Sequence, residues 1–439
     1  MSWSNEASQA QPSCILYQNG GTTLIDIPRS IAAAQGTSQS PCCQNIISCP
    51  PITSPFPSNE PKSTAAKASL EARNLVAAHD ELNLCCVSEA LSDLQNAYTR
   101  DWCLPRSVLP QDSATGSKRK ASDLHRNARV DFHVPEPSIQ PMQHLAAADS
   151  ANHQLYELRW DAHAHPSDDS TPSNCSPDRI GPWTHHLANH SAHPRTLQIL
   201  SEHHQADSFI IPPSASLYLG DCSDSRPFHS AVRAEAQRLN TSPLFDCIIM
   251  DPPWPNASVT RARKNKKSGY QTSPTVWDIR QLIFETDVNV LLSKGGLMAI
   301  WITNNPRVRE LVLGEDGLFD SWDVKLEEEW LWIKTTNTGD PVTPLQSLWR
   351  KPYEVLLLGR KRDLNSEGND ETSEVKRRVM AGVPDLHSRK PCLKDLIAPL
   401  MPDSNDYRAL EVFARYLVAG WWSWGNEVLK FNHQQCWAS

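Results

Sequence analysis

Residues 245–250, Phe-Asp-Cys-Ile-Ile-Met, form an apolar run of strand length that stops at Asp251-Pro252-Pro253-Trp254. Proline has no N–H for a sheet ladder, and two in succession oblige the strand to end there. Strand and helix patterns alternate around this point. The spacing predicts strands at 216–219, 245–250, 297–303, 324–333, 353–358 and 408–413, with helices at 228–239, 276–292 and 392–400. Such alternation builds an α/β domain on a mostly parallel sheet. In open sheets of that kind, ligands sit beyond the carboxyl ends of strands, which is where the tetrapeptide falls.

The tetrapeptide has a definite chemistry. Asp251 offers an anionic acceptor, Pro252 and Pro253 present only carbonyl oxygens, and Trp254 supplies a flat face for stacking. Two acceptors beside an aromatic plane suit a planar base with an exocyclic amino group. Holding both amino hydrogens leaves the nitrogen lone pair facing an electrophile. No strong base is needed, because the nitrogen becomes acidic only as it gains a substituent. The plainer reading is a strand ending in a proline turn with a structural tryptophan.

The strand end resembles the hallmark of the DPPW-type adenine-N6 methyltransferase family. Six ordered segments resemble its methyltransferase-like protein 4 branch: 251–259, 301–305, 329–345, 350–360, 387–396 and 410–431. The resemblance implies a Rossmann-like α/β fold with permuted motif order, in which the catalytic strand comes early and the cofactor strand late. It also implies S-adenosylmethionine as cofactor. Leu410–Arg415 stands where the cofactor strand belongs, with Glu411, Phe413 and Arg415 on the cofactor side. Asn426 and Glu427 match positions for the ribose hydroxyls, Asp221 and Cys222 the segment that holds adenine, and Lys390 a lysine near the methionine carboxylate. Tyr270, Trp301 and Trp332 match aromatics that line the target-base pocket.

Arg261, Arg263, Lys264, Lys266 and Lys267 follow the tetrapeptide closely, and five charges in seven residues suit phosphate contacts. A solvated surface is the competing account of that run. The family includes RNA and DNA enzymes, with RNA slightly preferred here, including an adenosine already methylated on its ribose. It also includes non-catalytic nucleic-acid-binding subunits. The intact Asp251, Pro252, Pro253, Trp254, Lys390 and Asn426 argue for an active enzyme. A protein partner is possible but not indicated by the sequence.

The amino-terminal half has another character. Residues 14–31 read as a hairpin about Asn19-Gly20-Gly21, 37–63 as a loop, and 64–98 as helical. Residues 110–180 are polar and broken by prolines. The division expected is a possible small domain at 1–105, a Pro/His-rich and largely disordered linker at 106–205, and the methyltransferase domain at 206–439. Net charge is −7 over 1–245 and −1 over 246–439, and 11 of the 15 tryptophans lie from Trp254 onward, so the dense core and any flat ligand belong to the second half. Twelve histidines scatter between His125 and His204 without convergent spacing, so no metal is expected. The 12 cysteines include no Cys-x-x-Cys pair, and no apolar stretch approaches the roughly 18 residues of a membrane span. With a start that lacks a basic and apolar leader, these features lead to the expectation of reduced thiols in a nuclear or cytoplasmic protein, the nucleus favoured.

Overall fold

The computed structural model describes residues 13–56, 64, 78–108, 156–161, 178–182, 184–201, 204–255, 275–347, 351–363, 374–386 and 389–438. The expected hairpin forms as β1 (Ile15–Asn19) and β2 (Thr22–Ile25), antiparallel, with Gly20 in the left-handed region at the turn. Asp26 then caps α1 (Ile27–Ala33), its carboxylate accepting from the Arg29 N–H while Pro28 opens the helix. A short β3 (Asn45–Ile46) and α2 (Ala78–Ala97) follow.

Five strands come next: β4 (Tyr156–Trp160), β5 (Asp178–Pro182), β6 (His186–Ala188), β7 (Arg195–Ser201) and β8 (His204–Ile211). All but β6 form a four-stranded antiparallel sheet in the order β5-β4-β7-β8. Parts of the segment read as a linker are therefore folded. The sequence hid this because its strands are short and separated by polar, proline-rich stretches that mask their alternation.

The second half supplies β9 (Ser216–Leu219), α3 (Ser225–Leu239), β10 (Phe245–Met250), α4 (Val276–Glu285), β11 (Leu292–Ile302), α5 (Pro306–Leu313), α6 (Leu318–Ser321), β12 (Val324–Lys334), β13 (Tyr353–Lys361), β14 (Lys376–Gly382), α7 (Lys394–Ile397), β15 (Ala409–Val412), β16 (Trp422–Gly425) and β17 (Trp437–Ala438). Eleven strands make the central sheet, in the order β1-β2-β14-β12-β13-β11-β10-β15-β16-β9-β6. Strands β9, β16, β15, β10 and β11 run parallel, so their carboxyl ends share one edge. The other half is mixed, because β13 runs antiparallel to both β11 and β12.

Three predicted boundaries move. The helix expected to reach 292 stops at Glu285; a Thr275–Asp278 capping box starts it, and Asp287 turns left-handed beyond it. Strand β11 starts five residues earlier than predicted, since Gly295 and Gly296 obscured its alternation. The helix expected at 392–400 is two short turns, the second carrying Pro399 at its start. Strands β14 and β16 were not predicted. One adjoins the polar insertion, and the other, Trp-Ser-Trp-Gly, is too short to show a period.

The amino-terminal residues do not stand apart as a separate domain. Strand β2 pairs with β14 inside the central sheet. Trp102 donates its backbone N–H to the Asn337 carbonyl at 2.9 Å, and the Asn337 N–H donates to Ile52 O at 2.8 Å. Arg106 donates to the carbonyls of Val383 and Pro384 at 2.8 and 3.0 Å. Buried Arg389 pairs with Asp385 at 2.7 Å and donates to Ile47 O at 2.8 Å, and the Cys392 N–H donates to Ser30 Oγ at 3.0 Å. The amino-terminal segment thus straps two loops of the catalytic half, 335–342 and 383–393.

Candidate active site

Strand β10 alternates between two cores. Ile248 and Met250 face the layer that contains α3, α4 and α5, while Cys247 and Ile249 face the opposite one. Asp251 continues the second face just past the strand, where the shared carboxyl edge opens a cleft. Ile249, Asp251, Trp301, Arg389, Lys390, Glu411, Phe413, Arg415, Tyr416, Trp421 and Phe431 are among its walls.

A chain of charges crosses the cleft mouth. Lys334, at the end of β12, pairs with Glu354 on β13, Glu354 pairs with Lys390, and Lys390 Nζ lies 3.5 Å from Asp251 Oδ1. Both lysines sit over aromatic faces. Lys390 Nζ is 4.5 Å from the centre of Trp301, and Lys334 Nζ is 4.8 Å from that of Trp332. The two indoles pack edge to face at 6.0 Å. Burial pushes the Asp251 carboxyl above its ordinary range, against the pull of Lys390 and Arg415. Burial also works against charge on Glu354, but Lys334 and Lys390 together hold it well below the usual carboxylate range. For Lys390, burial is outweighed by Asp251 and Glu354, so the ammonium is raised. Glu411 is pushed up to about 8 by burial, reinforced by the Asp251 carboxylate.

The aromatic members of the expected pocket sit deeper than a stacking role requires. Trp254 is 7% exposed, and its indole N–H donates to the Trp301 carbonyl at 2.6 Å. It pins the turn to β11, and its ring joins the core beside α4 instead of facing the cleft. Trp301 lines the cleft, whereas Trp332 is buried behind it. The Pro252 carbonyl accepts from the Trp254 N–H at 2.7 Å and keeps a second lone pair. Tyr270, Arg261, Arg263, Lys264, Lys266 and Lys267 lie outside the described residues.

The cofactor candidates gather on the same edge. Phe413 leaves β15 with φ of 60°, a left-handed conformation rare for an aromatic residue, and turns the chain where other nucleotide-binding strands use glycine. A Cβ on Gly425 would come within 3.0 Å of the Ala414 carbonyl, so the ends of β15 and β16 meet backbone to backbone. Arg415 Nε lies 3.2 Å from Glu427 Oε2, and Lys430 Nζ lies 3.6 Å from Glu427 Oε1. Asn426 is exposed beside them. Cys222 is buried at the end of β9, while Asp221 is exposed and accepts from the Ser223 N–H and hydroxyl, each at 2.9 Å. Neither lines the cleft.

S-adenosylmethionine presents a vicinal diol, a flat base and a zwitterionic end. The cleft is walled by aromatics and by charges of both signs, and Arg415 in its wall reaches Glu427 at 3.2 Å, so the residues fit it. Glu354 and Lys334 were missed in the sequence. Their signals were a carboxylate inside the apolar run Tyr-Glu-Val-Leu-Leu-Leu and a lysine closing Glu-Trp-Leu-Trp-Ile-Lys.

An apolar parallel strand that delivers Asp-Pro-Pro to the cleft, with β15 later in the chain ending at the same cleft, has the layout of a permuted α/β methyltransferase. Residues 245–427 match the MT-A70 family model. The chain is 29% identical to the N6-methyladenosine RNA methyltransferase MTA1 of Cryphonectria parasitica, over 99% of this chain and 96% of that protein. It is 34% identical to the N(6)-adenine-specific methyltransferase METTL4 of Homo sapiens, over 56% and 48%. It is also 34% identical to the DNA N6-methyl methyltransferase of Caenorhabditis elegans, over 53% and 57%. Residues 245–427 therefore carry an MT-A70 adenine-N6 methyltransferase domain, and the chain is an enzyme that uses S-adenosylmethionine to methylate adenine N6 in nucleic acid. Among the described residues no helix is long and apolar enough to cross a membrane.

Proposed function

We propose that the acceptor is adenine in RNA, and that Asp251 with a carbonyl of the Pro-Pro turn receives its amino group. The observation that carries the site reading is the Asp251 carboxylate at the mouth of the cleft, held at 3.5 Å by a lysine that Glu354 in turn holds. The RNA preference rests on coverage. The relatives named as RNA methyltransferases align with 99% and 95% of this chain, and the DNA-named relative with 53%.

The bound cofactor supplies an electrophilic methyl group on sulfur. Asp251 and the carbonyl accept the two amino hydrogens, which turns the nitrogen lone pair into the cleft. The amino group would become acidic only as it gains the methyl, and Asp251 or solvent at the mouth would then take its proton. Asn426 and Glu427 would hold the ribose hydroxyls and Lys390 with Arg415 would face the amino-acid end, whereas Asp221 and Cys222, expected at the adenine, lie outside the cleft wall. Glu411 and Phe413 close the wall between them.

The test is methyl transfer from labelled S-adenosylmethionine to one adenine-containing sequence, presented as RNA, single-stranded DNA and duplex DNA. Label is expected mainly in RNA and lost in Asp251→Ala, whose cofactor affinity stays near that of the wild type. Preferential labelling of DNA would overturn the RNA reading. Collapse of cofactor affinity in Asp251→Ala would overturn the role given to that carboxylate.

A further inference from the structure

Helices α3, α4 and α5 pack on one face of the sheet, where Phe228 and Val232, Ile279 and Ile283, and Val308 and Leu311 enter a single apolar core. Each helix follows a strand of the parallel set: α3 follows β9, α4 follows β10 and α5 follows β11. Each therefore begins at the carboxyl edge that carries Asp251. The second residue of these helices is Arg226, Trp277 and Arg307 respectively, and all three are exposed.

Trp277 stands out. At 74% exposure it is the most exposed large hydrophobic side chain among the described residues. A single exposed apolar residue is ordinary on a protein surface, but the strands that lead into the three helices stand in the order β9, β10, β11 along the sheet, which puts Trp277 between the two exposed arginines in that order. Arg280, one turn further along α4, holds its guanidinium 5.9 Å from the Trp277 ring and 4.6 Å from Phe284. The acidic neighbour Asp278 is spent on the helix cap, bonding the Thr275 N–H and hydroxyl at 3.0 and 2.6 Å. Asp221 and Asp224, before α3, and Glu310, one turn into α5, are the other carboxylates close in sequence to the row. In the sequence, the basic run Arg261–Lys267 falls between Asp251 and Trp277. An indole face flanked by guanidinium groups is the pairing that binds single-stranded nucleic acid without reading its sequence: bases stack on the ring and phosphates meet the charges.

We propose that the Arg226–Trp277–Arg307 row docks the single-stranded nucleic acid that flanks the target adenine, with a neighbouring base stacked on Trp277 and phosphates on the two arginines. The proposal deepens the nucleic-acid reading above and rests on it. It also accounts for a surface aromatic that neither the catalytic chemistry nor the core uses.

The test reads binding and turnover separately. Affinity of the full chain for a fluorescein-labelled RNA is measured by anisotropy across a salt series, and methyl transfer is measured on the same RNA. Trp277→Ala is expected to raise the RNA Kd and KM about tenfold, with kcat and cofactor Kd unchanged. Trp277→Phe should recover most of the loss, as a stacking contact requires. Arg226→Gln and Arg307→Gln should each flatten the slope of log affinity against log salt by about one. Wild-type RNA affinity in Trp277→Ala would overturn the proposal while leaving the enzyme assignment intact. So would a change in oligomeric state, measured by light scattering, with RNA affinity unchanged; the row would then be a protein contact. A wild-type chain that neither binds nor methylates the RNA would instead overturn the RNA reading on which the proposal rests.

Discussion

Replacing Glu354 by Gln keeps the side-chain shape and removes the anion between Lys334 and Lys390. Removing one partner from a buried ion pair costs about 3–5 kcal/mol, because the other charge is left uncompensated. Here Lys390 retains Asp251 at 3.5 Å, and the Glu354 side chain is 27% exposed, so solvent screens part of the loss. The expected destabilisation is about 2–3 kcal/mol. Its pH dependence follows from the sign of the shift. The folded-state pKa of Glu354 lies below the unfolded value of about 4.3, so its contribution is complete above that pH and drains as pH falls toward the folded value. Urea denaturation of wild type and Glu354→Gln should therefore differ by a constant amount from about pH 8 to 5, and the gap should narrow below about pH 4. In activity assays Lys390 loses its second anchor, and a shift of about 1 Å at the mouth is worth on the order of 100-fold in kcat. A destabilisation below about 0.5 kcal/mol, or a gap that stays constant at acid pH, would refute the reasoning, since neither fits an ionised, lysine-held Glu354.

The remaining predictions concern other parts of the site and its supports. Asp251 must be ionised to accept its amino hydrogen and then the proton, and burial raises its pKa, so kcat/KM should fall on the acid side at a pH above that of an exposed aspartate. Asp251→Asn should abolish that acid limb along with most turnover, as a pH-rate profile would reveal. Asn426→Ala should weaken the cofactor about tenfold by calorimetry while sparing RNA affinity, the reverse of Asp251→Ala. Gly339 has φ of 93°, and a Cβ there would lie 2.6 Å from the Trp102 ring. Gly339→Ala should therefore cost about 2–4 kcal/mol by denaturant unfolding and loosen the amino-terminal strap from the loop after β12.

The site was legible wherever chemistry is local in sequence. Asp251-Pro252-Pro253-Trp254 declared the strand end that β10 forms, while the acceptor role of Asp251 and the cofactor roles of Asn426 and Glu427 belong to the proposed reading. The roles of the aromatics were less legible, because a tryptophan reads the same in a pocket wall and in a core. Trp254 illustrates this: its indole N–H found the Trp301 carbonyl, 47 residues away, and the ring went inward. Glu354 was passed over because its two cations come from Lys334 and Lys390, which only the sheet brings together.

The sequence alone determined the alternation of strands and helices, the hairpin at Gly20, the strand that stops at Asp251 and the family of the methyltransferase domain. Hydrophobic period, turn residues and missing N–H groups act over a few residues, so they can be read in a line. The tertiary structure decided that β1 and β2 complete the catalytic sheet, that Arg106 and Ser30 hold the loop bearing Lys390, and that Lys334, Glu354, Lys390 and Asp251 form one chain of charges. Those partners are tens to hundreds of residues apart. Their interaction energies depend on distance and burial, and folding sets both.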